Sequence, residues 1–239
     1  MKKSKGMLLE VVDSDIDLLE NYPKKFWEDV SFIKKSAFSG CKALKSIVIP
    51  GKVATISDSA FSGCVNLEKV IIEKGVKNIF GEAFRGCKNL KSVELNDGLV
   101  NIGYGAFNGC KSLEEIVIPE SVVVLGERAF IICQNLKKVV INGRIKNIEG
   151  GTFSGCTNLQ EIKFNEELEY IGPSAFYDCD KLTHVYLPDN FKWLDYCAFD
   201  DCANLKVLNL PSTAKLNSGA ISGSPSVEII QRDNENELE

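Results

Sequence analysis

The sequence predicts an α/β-type repeat solenoid, a stack of short coils that share a parallel β-sheet. Every copy carries Phe three residues before a cysteine and Leu three residues after it. A fixed period between 20 and 50 residues is typical of small units that bury their apolar faces only against their neighbours. The cysteine recurs eight times at an unvarying step of 23 residues, at Cys41, Cys64, Cys87, Cys110, Cys133, Cys156, Cys179 and Cys202.

The strand of each copy is predicted by the pattern Leu-x-x-Ile-x-Ile, as in Leu113 to Ile118. Two apolar residues two positions apart point to the same side of an extended strand. Because all copies run in the same direction, one strand from each should join a parallel concave sheet. The segment that follows, such as Ile56 to Cys64, is rich in Gly, Ser and Asp and predicts a turn with one short helical or 3₁₀ turn on the convex side.

The chain divides into three predicted segments. Residues 1–25 lack the repeat and are expected to cap the N-terminal end of the core. Residues 26–230 form the solenoid, whose last copy is degenerate and carries Ser224 in the position of the cysteine. Residues 231–239 are polar and acidic and are expected to be a disordered tail.

Three copies depart from the pattern directly before the cysteine. Gly occupies this position in the other five copies, which predicts a backbone with positive φ there. Asp178 and Asp201 can tolerate that conformation, but the fifth copy has Ile132. A β-branched residue adopts positive φ only at a cost. We therefore expect the fifth copy to turn differently.

The extended motif resembles the BspA-type leucine-rich repeat found in many surface proteins of anaerobic bacteria and parasitic protists. The motif runs from Leu113 to Cys133 and again from Leu159 to Cys179, and the resemblance covers about residues 28–230. It implies a leucine-rich-repeat horseshoe that serves adhesion or protein recognition, at a cell surface or in a secreted protein. It supplies no catalytic residue.

Composition excludes several function classes. The net charge is −5 and 26% of residues are charged, without the clustered Lys and Arg that nucleic-acid binding requires. No apolar run approaches the ~20 residues that span a bilayer, so membrane insertion is not expected. The basic start is followed by a segment that Glu10 interrupts, so we predict no signal peptide. A cytoplasmic location is therefore the alternative to the cell surface.

The nine cysteines do not predict disulfides or zinc. Equivalent positions of neighbouring coils lie ~4.8 Å apart with parallel side chains, whereas a disulfide needs converging Cβ atoms ~3.8 Å apart. A row of thiols also lacks the convergence of a zinc site. We expect eight buried free thiols that act as small apolar spacers. Cys197 lies outside this row and is predicted to be accessible, as a candidate reactive thiol.

Enzyme chemistry is not expected, and no cofactor is predicted. The single histidine, His184, falls in a strand column that is otherwise solvated, and no phosphate-binding loop is present. A cluster of carboxylates near the C-terminal end is expected to be solvated. The alternative is a Ca²⁺ site, because stacked carboxylates repel each other and a hard cation relieves that repulsion. The cluster consists of Asp178, Asp180, Asp200 and Asp201.

Two surfaces are candidates for binding. The first, the concave stripe, is the set of apolar residues expected to face outward between the inward aliphatics, namely Val48, Ile71, Val117, Val140 and Tyr186. It indicates either the strand preference of β-branched residues or a recognition or dimer surface. The second, the aromatic corner, consists of Tyr170 and Trp193, residue types that dominate interface energetics. They either bind a partner or shield the end of the solenoid.

Taken together, the residues predict a non-catalytic recognition module for a protein partner, either a host protein or a second copy in a homodimer. One alternative is a carbohydrate-binding module with Tyr170, Trp193 and Tyr186 as sugar platforms. Another is an intracellular scaffold.

Overall fold

Two short parallel strands per coil build the solenoid, and the prediction of one strand per repeat is wrong. The computed structural model describes residues 1–4, 6–21, 23–224 and 227–233. In chain order its elements are β1 (Lys2–Ser4), β2 (Met7–Glu10), a 3₁₀ turn (Asp13–Asp15), α1 (Ile16–Asn21), α2 (Pro23–Trp27), β3 (Phe32–Ile33), β4 (Ser46–Ile49), β5 (Thr55–Ile56), β6 (Lys69–Ile72), β7 (Asn78–Ile79), β8 (Ser92–Glu94), β9 (Asn101–Ile102), β10 (Glu115–Ile118), β11 (Val124–Leu125), β12 (Lys138–Ile141), β13 (Asn147–Ile148), β14 (Glu161–Lys163), β15 (Tyr170–Ile171), β16 (His184–Tyr186), β17 (Trp193–Leu194), β18 (Val207–Pro211), β19 (Lys215–Leu216) and β20 (Glu228–Arg232).

The strands form two walls. The first wall, which corresponds to the predicted concave sheet, contains β4, β6, β8, β10, β12, β14, β16, β18 and β20, and its pairing is interrupted between β8 and β10 and between β14 and β16. The second wall runs from the N-terminal hairpin β1–β2 through β3, β5, β7 and β9 to β11, and resumes with β13, β15, β17 and β19. The sequence did not reveal the second wall because its strands from β3 onward are two residues long, too short for an alternating pattern.

The segment after each second-wall strand is a series of turns, and the repeats contain no helix within the described part of the chain. Backbone N–H groups alternate between two kinds of partner. The N–H of Ser62 donates to the carbonyl of Ser59 at 3.0 Å within its own turn, whereas the N–H of Phe61 donates to Ala83 in the next coil at 2.7 Å. A 3₁₀ helix needs consecutive i to i+3 bonds. Because every second donor is directed to the next coil, the predicted short helix does not form.

Left-handed backbone occurs at two places in the turns. The first lies five residues before the cysteine, at Ser36, Ser59, Glu82, Gly105, Arg128, Gly151, Ser174 and Cys197, all with φ between 52° and 62°. The second lies directly before the cysteine. The fifth copy turns like the others there, because Ile132 has φ 59° beside values of 70° at Gly109 and 72° at Gly155. The expectation of a different turn is wrong, since the N–H of Ile132 is held at 2.8 Å from the carbonyl of Ser154 in the next coil.

The core consists of columns that run through successive coils. Eight Phe side chains, from Phe38 to Phe199, are fully buried and stacked, with ring centroids of neighbours 4.5 to 5.5 Å apart. This geometry adds aromatic attraction to apolar burial. Replacement of one such Phe by Ala typically costs about 3–5 kcal/mol, so this column is a large contributor to stability.

The cysteine column is buried and free of disulfides. Its thiols are more than apolar spacers. From Cys64 to Cys202, each Sγ donates a hydrogen bond to the carbonyl oxygen of the Phe that lies 26 residues earlier, at 3.0 to 3.4 Å. Burial raises the pKa of Cys133 to about 12. The Cys133 thiol therefore stays protonated as a donor.

The two ends of the solenoid differ. At the N-terminal end, Leu8, Val11 and Ile16 join the same core and are at most 5% exposed. At the C-terminal end, Gln231 and Arg232 belong to β20 and pair with β18, so the predicted tail begins at least two residues too early. Residues 234–239 of that tail lie outside the described residues, as do residues 225 and 226 of the degenerate last copy.

Candidate binding surface on the first wall

The register of the first wall brings the members of the concave stripe together in pairs. Val48 lies opposite Ile71, and Val117 lies opposite Val140. Their neighbours along each strand point into the core, so Val48, Val117 and Tyr186 are 45%, 50% and 60% exposed, while Ile71 and Val140 are half-buried. The structure therefore displays the stripe as an outward column.

The stripe is divided rather than contiguous. Glu94 follows Ile71 in the column, and Lys163 follows Val140. The backbone pairing of the wall stops at the same two places, after β8 and after β14. The outward column thus consists of three groups, each of which begins with an exposed apolar residue at Val48, Val117 or Tyr186.

A groove of about 900 Å³ extends from the first interruption, beside Val117, to the loop that follows β14. Its apolar part includes Val93 and Leu95, which are half-buried although the equivalent residues of most other coils are buried. The interruption exposes them because β8 ends at Glu94 and does not pair with β10. The groove therefore gives a ligand access to side chains that other coils enclose.

The rim of this groove is mainly acidic. It carries two cations, Arg144 and Lys163, and six carboxylates, Glu94, Asp97, Glu115, Glu120, Glu166 and Glu167. Glu94 forms an ion pair with Lys69 at 2.7 Å, and the other five have no ion pair among the described residues. The excess of exposed carboxylates produces a negative potential that attracts cationic groups.

Asparagine turns end the strands at both interruptions. The Asn96 amide donates to the carbonyl of Val76 at 3.1 Å, and its oxygen accepts from the N–H of Gly98 at 2.7 Å. Asn165 forms the same pair of contacts one interruption later, with Ile145 and Glu167. These contacts fix the two loops, after β8 and after β14, that line opposite ends of the groove.

Sequence reasoning missed this groove. Asn follows the strand at the two interruptions, at Asn96 and Asn165, but Asn142 takes the same place after β12, where the pairing of the wall continues. The other copies carry Pro or Glu there, namely Pro50, Glu73, Pro119, Pro188 and Pro211. No single column of the repeat therefore indicates the position of the groove.

Ion pairs flank the stripe on the first wall. Lys91 contacts Glu68 at 2.8 Å, and Lys137 contacts Glu114 at 2.9 Å. Each pair lowers the pKa of its glutamate, first through the hydrogen bond from the lysine and then through its charge. All four side chains are exposed, so these pairs add little stability. They hold charged groups in fixed places beside the apolar column.

The aromatic corner lies on the second wall. Tyr170 and Trp193 are opposite each other on β15 and β17, and Trp193 is 36% exposed. The Tyr170 hydroxyl donates to Asp195 at 2.7 Å. Burial, followed by the bond to Asp195, raises the pKa of Tyr170 to about 12. Tyr186 belongs to the first wall, so the three aromatics do not form a single platform.

Cys197 is buried, so the prediction that it is accessible is wrong. It is 9% exposed, which is still more than any other cysteine. Burial is the first cause that raises its pKa, and Asp200 raises it further. A reactive thiol needs exposure and a lowered pKa, so the observed site is unlike that of a nucleophile.

The four aspartates do not converge on one point. Asp178 has φ 59° in the position before the cysteine, and burial, Asp180 and Asp201 raise its pKa. The Asp200 carboxylate instead accepts from the backbone N–H groups of Asp201 and Gly223. Within the described residues, no group of three or more His, Cys, Asp or Glu side chains is arranged to hold a metal ion. The cluster is therefore a set of turn residues that repel each other.

His184 lies exposed on β16, with Nδ1 3.0 Å from Thr183 Oγ1. General-base catalysis would require a nucleophile and an orienting acid to meet it. Its one side-chain hydrogen bond is to the neighbouring Thr183, which agrees with the predicted solvated strand position.

The fold and this surface define the class: a leucine-rich-repeat solenoid, an architecture that generally serves protein interaction. The family model for the BspA type leucine rich repeat region matches residues 24–137 and 124–238. The chain belongs to this family, and the predicted resemblance and fold are confirmed. In the part of the chain that the structure describes, no helix is both long and apolar enough to traverse a bilayer.

Solved structures support the same architecture. A leucine-rich repeat protein from Bacteroides ovatus is 29% identical over 85% of this chain, with a TM-score of 0.62, and the chain spans 60% of that protein's length. The leucine-rich repeat protein of T. pallidum is 33% identical over 64% of this chain and 72% of its own, with a TM-score of 0.62. A protein from Eubacterium ventriosum, 23% identical over 82% of this chain and 74% of its own, shares the fold with a TM-score of 0.60. No curated protein matches the chain.

Proposed function

We propose that the chain recognises a protein partner without catalysis, through the first wall and the groove beside Val117. The observation that carries this proposal is that Val117, an apolar residue with 50% exposure, lies beside an acidic groove of about 900 Å³. The core does not need an apolar residue at this outward position, since Glu94 and Lys163 occupy it in other coils. Strand preference alone explains a valine, but it does not explain the groove beside it.

The chemistry of the surface favours one kind of partner. Apolar side chains of the partner would contact Val117 and the half-buried Val93 and Leu95 of the groove. Lys or Arg side chains on either side of them would face the carboxylates of the rim. Such charge complementarity increases the association rate and selects against acidic partners. The proposed partner is therefore a protein segment in which apolar residues are flanked by basic ones.

A displayed library of random peptides tests the proposal directly. The parent protein should enrich peptides with an apolar centre and flanking Lys or Arg. A variant with Val48, Ile71, Val117 and Val140 all replaced by Thr keeps β-branched residues in the strands while removing apolar contact. It should bind the enriched peptides at least tenfold more weakly, because tenfold corresponds to about 1.4 kcal/mol and hot-spot contacts reach that value.

The matched control is a triple replacement of Val100, Val123 and Val124 by Thr. These valines are 38–47% exposed and lie at or beside the strands of the second wall. The control should bind as the parent does. Equal binding by the first-wall variant, or enrichment of acidic peptides, would exclude this surface.

A second candidate function rests on the aromatic corner. Tyr170 and Trp193 are adjacent in register, and Trp193 keeps 36% exposure, which suits stacking against a sugar ring. A glycan array with parent and Trp193→Ala protein tests it. Loss of a glycan signal in the variant would support carbohydrate binding, and an array without signal would exclude it.

We further propose a cell-surface location, on the basis of the family, with an intracellular scaffold as the alternative. Surface labelling of intact cells that produce the native protein distinguishes the two.

A further inference from the structure

In the part of the chain that the structure describes, the first wall ends at β20 with a strand edge that has no partner. β20 is the last strand of its sheet and pairs with β18 on one side over five residues. No described residue pairs with its other side. A free edge of this length is a template for another strand.

The backbone contacts show which groups this edge presents. The N–H of Glu228 donates to Lys206 at 2.7 Å, and the carbonyl of Arg232 accepts from Ser212 at 2.7 Å, so both residues direct their backbone groups toward β18. Ile230 shares this direction because backbone groups alternate from side to side along a strand. The N–H and C=O groups of Ile229 and Gln231 therefore point away from the sheet, to the free edge.

The same strand exposes apolar side chains. Ile229 is 41% exposed and Ile230 is 37% exposed, whereas Leu208, opposite Ile229 on β18, is fully buried. Among the described residues, none covers the apolar side chains of β20 as the next coil covers those of β18. The N-terminal end is closed, because Leu8, Val11 and Ile16 are at most 5% exposed.

We propose that two copies of this chain pair through β20, antiparallel about a two-fold axis at Ile230. In this register Ile229 lies opposite the partner's Gln231, and the outward N–H and C=O groups of both residues form four hydrogen bonds. Ile230 faces the partner's Ile230 as a non-hydrogen-bonded pair, in which side chains approach most closely.

Charge complementarity supports the second copy as the occupant. With Ile230 on the axis, Glu228 lies opposite the partner's Arg232, and the partner's Glu228 lies opposite Arg232. The Arg232 guanidinium already contacts Asp189 of its own chain at 3.1 Å, so the partner's Glu228 would be a second carboxylate beside it. Opposite charges at facing positions stabilise a strand pair, and like charges destabilise it. A head-to-tail stack fits less well, because it would place the exposed Ile229 against an N-terminal end that is already closed. The two-fold arrangement covers both open ends at once.

Crosslinking tests the register. Ile230→Cys places two cysteines at a non-hydrogen-bonded antiparallel pair, whose Cα atoms are about 4.5 Å apart, within the range that a disulfide spans. Mild oxidation should therefore give a disulfide-linked dimer. Glu228→Cys is the matched control, because its two copies would be about 14 Å apart at ~3.4 Å per residue. It should stay monomeric on a non-reducing gel. The nine native cysteines are buried, so their background is low.

Sedimentation velocity from 10 to 300 µM tests the association itself. We expect the parent to shift from monomer to dimer as the concentration rises. Gln231→Pro removes an outward N–H without loss of a bond to β18 and should raise the dimer dissociation constant at least tenfold. Glu228→Arg should weaken the dimer similarly, because it places two cations opposite each other.

A parent that stays monomeric throughout, with no crosslink at Ile230→Cys, would overturn the proposal. A dimer that Gln231→Pro leaves unchanged would do the same. These outcomes are independent of peptide binding to the groove.

Discussion

The hydroxyl of Ser224 donates a hydrogen bond of 2.7 Å to the carbonyl oxygen of Phe199. In the seven preceding coils a cysteine thiol donates to the equivalent Phe carbonyl. From Phe38 to Phe153 the Phe carbonyl also accepts a backbone N–H from its own turn, as Phe107 does from Cys110 at 3.1 Å. At the last coil the N–H of Cys202 donates to the Ser224 hydroxyl at 3.0 Å instead. The column is therefore a chain of donors and acceptors that joins each coil to the next, and serine can take a place in it.

Replacement of Cys133 separates its role as a donor from its role as a spacer. Cys133→Ser keeps a donor for the Phe107 carbonyl, while Cys133→Ala removes the donor and leaves a small cavity. One hydrogen bond contributes about 1 kcal/mol, so the alanine variant should be less stable than the serine variant by at least that amount. Urea unfolding of both proteins measures the difference. If the serine variant is the less stable one, the thiol acts mainly as an apolar spacer.

Replacement of Ile132 by glycine should increase the stability of the protein. L-residues in the left-handed region cost about 1–2 kcal/mol, and glycine avoids this at an entropic cost of about 0.5–1 kcal/mol. Ile132 is 42% exposed, so little burial is lost. We expect Ile132→Gly to gain up to about 1 kcal/mol in the free energy of unfolding. The reverse change one coil earlier, Gly109→Ile, should lose a comparable amount. No gain in Ile132→Gly would mean that contacts of its side chain offset the strain.

The cost of ionising Asp178 should depend on pH. Burial, followed by the charges of Asp180 and Asp201, raises its pKa in the folded protein. The ionised form therefore destabilises the fold, and this effect appears as pH rises through the folded pKa and is absent below the unfolded value of about 3.9. Asp178→Asn should have a higher melting temperature than the parent at pH 7, and the difference should vanish below about pH 4.

Asp178→Gly provides the comparison, since it removes the backbone strain as well as the charge. The melting temperature of Asp178→Gly should remain partly above that of the parent at low pH, because the backbone strain does not depend on protonation. If the melting temperature of Asp178→Asn stays above the parent at pH 3, the gain does not come from charge repulsion.

Native protein should react slowly with thiol reagents. Eight cysteines are at most 4% exposed, and Cys197 is 9% exposed with a raised pKa. At pH 8 we expect at most one slow modification in native protein and nine after denaturation, as counted by intact mass. Cys197→Ser should abolish the native reaction. Modification of several column cysteines in the native state would contradict their burial.

The repeat itself made the fold predictable. Cys, Phe and Leu recur at fixed offsets, so a single interpretation of one coil placed the core residues of all coils, and the structure buries them. The stripe was predictable for the same reason, because strand alternation places Val48 and Val117 outward wherever Ile47 and Ile116 point inward.

Other features depend on relations between coils that no single repeat encodes. The groove exists because β8 and β10 do not pair, and both strands carry ordinary repeat residues. The turn at Ile132 follows from hydrogen bonds to the next coil, which overcome the local preference of isoleucine. Burial of Cys197 likewise arises from residues around its turn rather than from its own column.

The interruptions of the two walls do not coincide. The first wall stops pairing after β8 and after β14, and the second stops after β11. Where one wall is interrupted between two coils, the strands of the other wall still pair between the same two coils. The stacked Phe rings and the hydrogen bonds between turns also continue there. A plane drawn between any two coils therefore crosses several unbroken sets of contacts. The molecule should unfold as one cooperative body rather than as blocks of three coils, although its backbone pairing alone suggests such blocks.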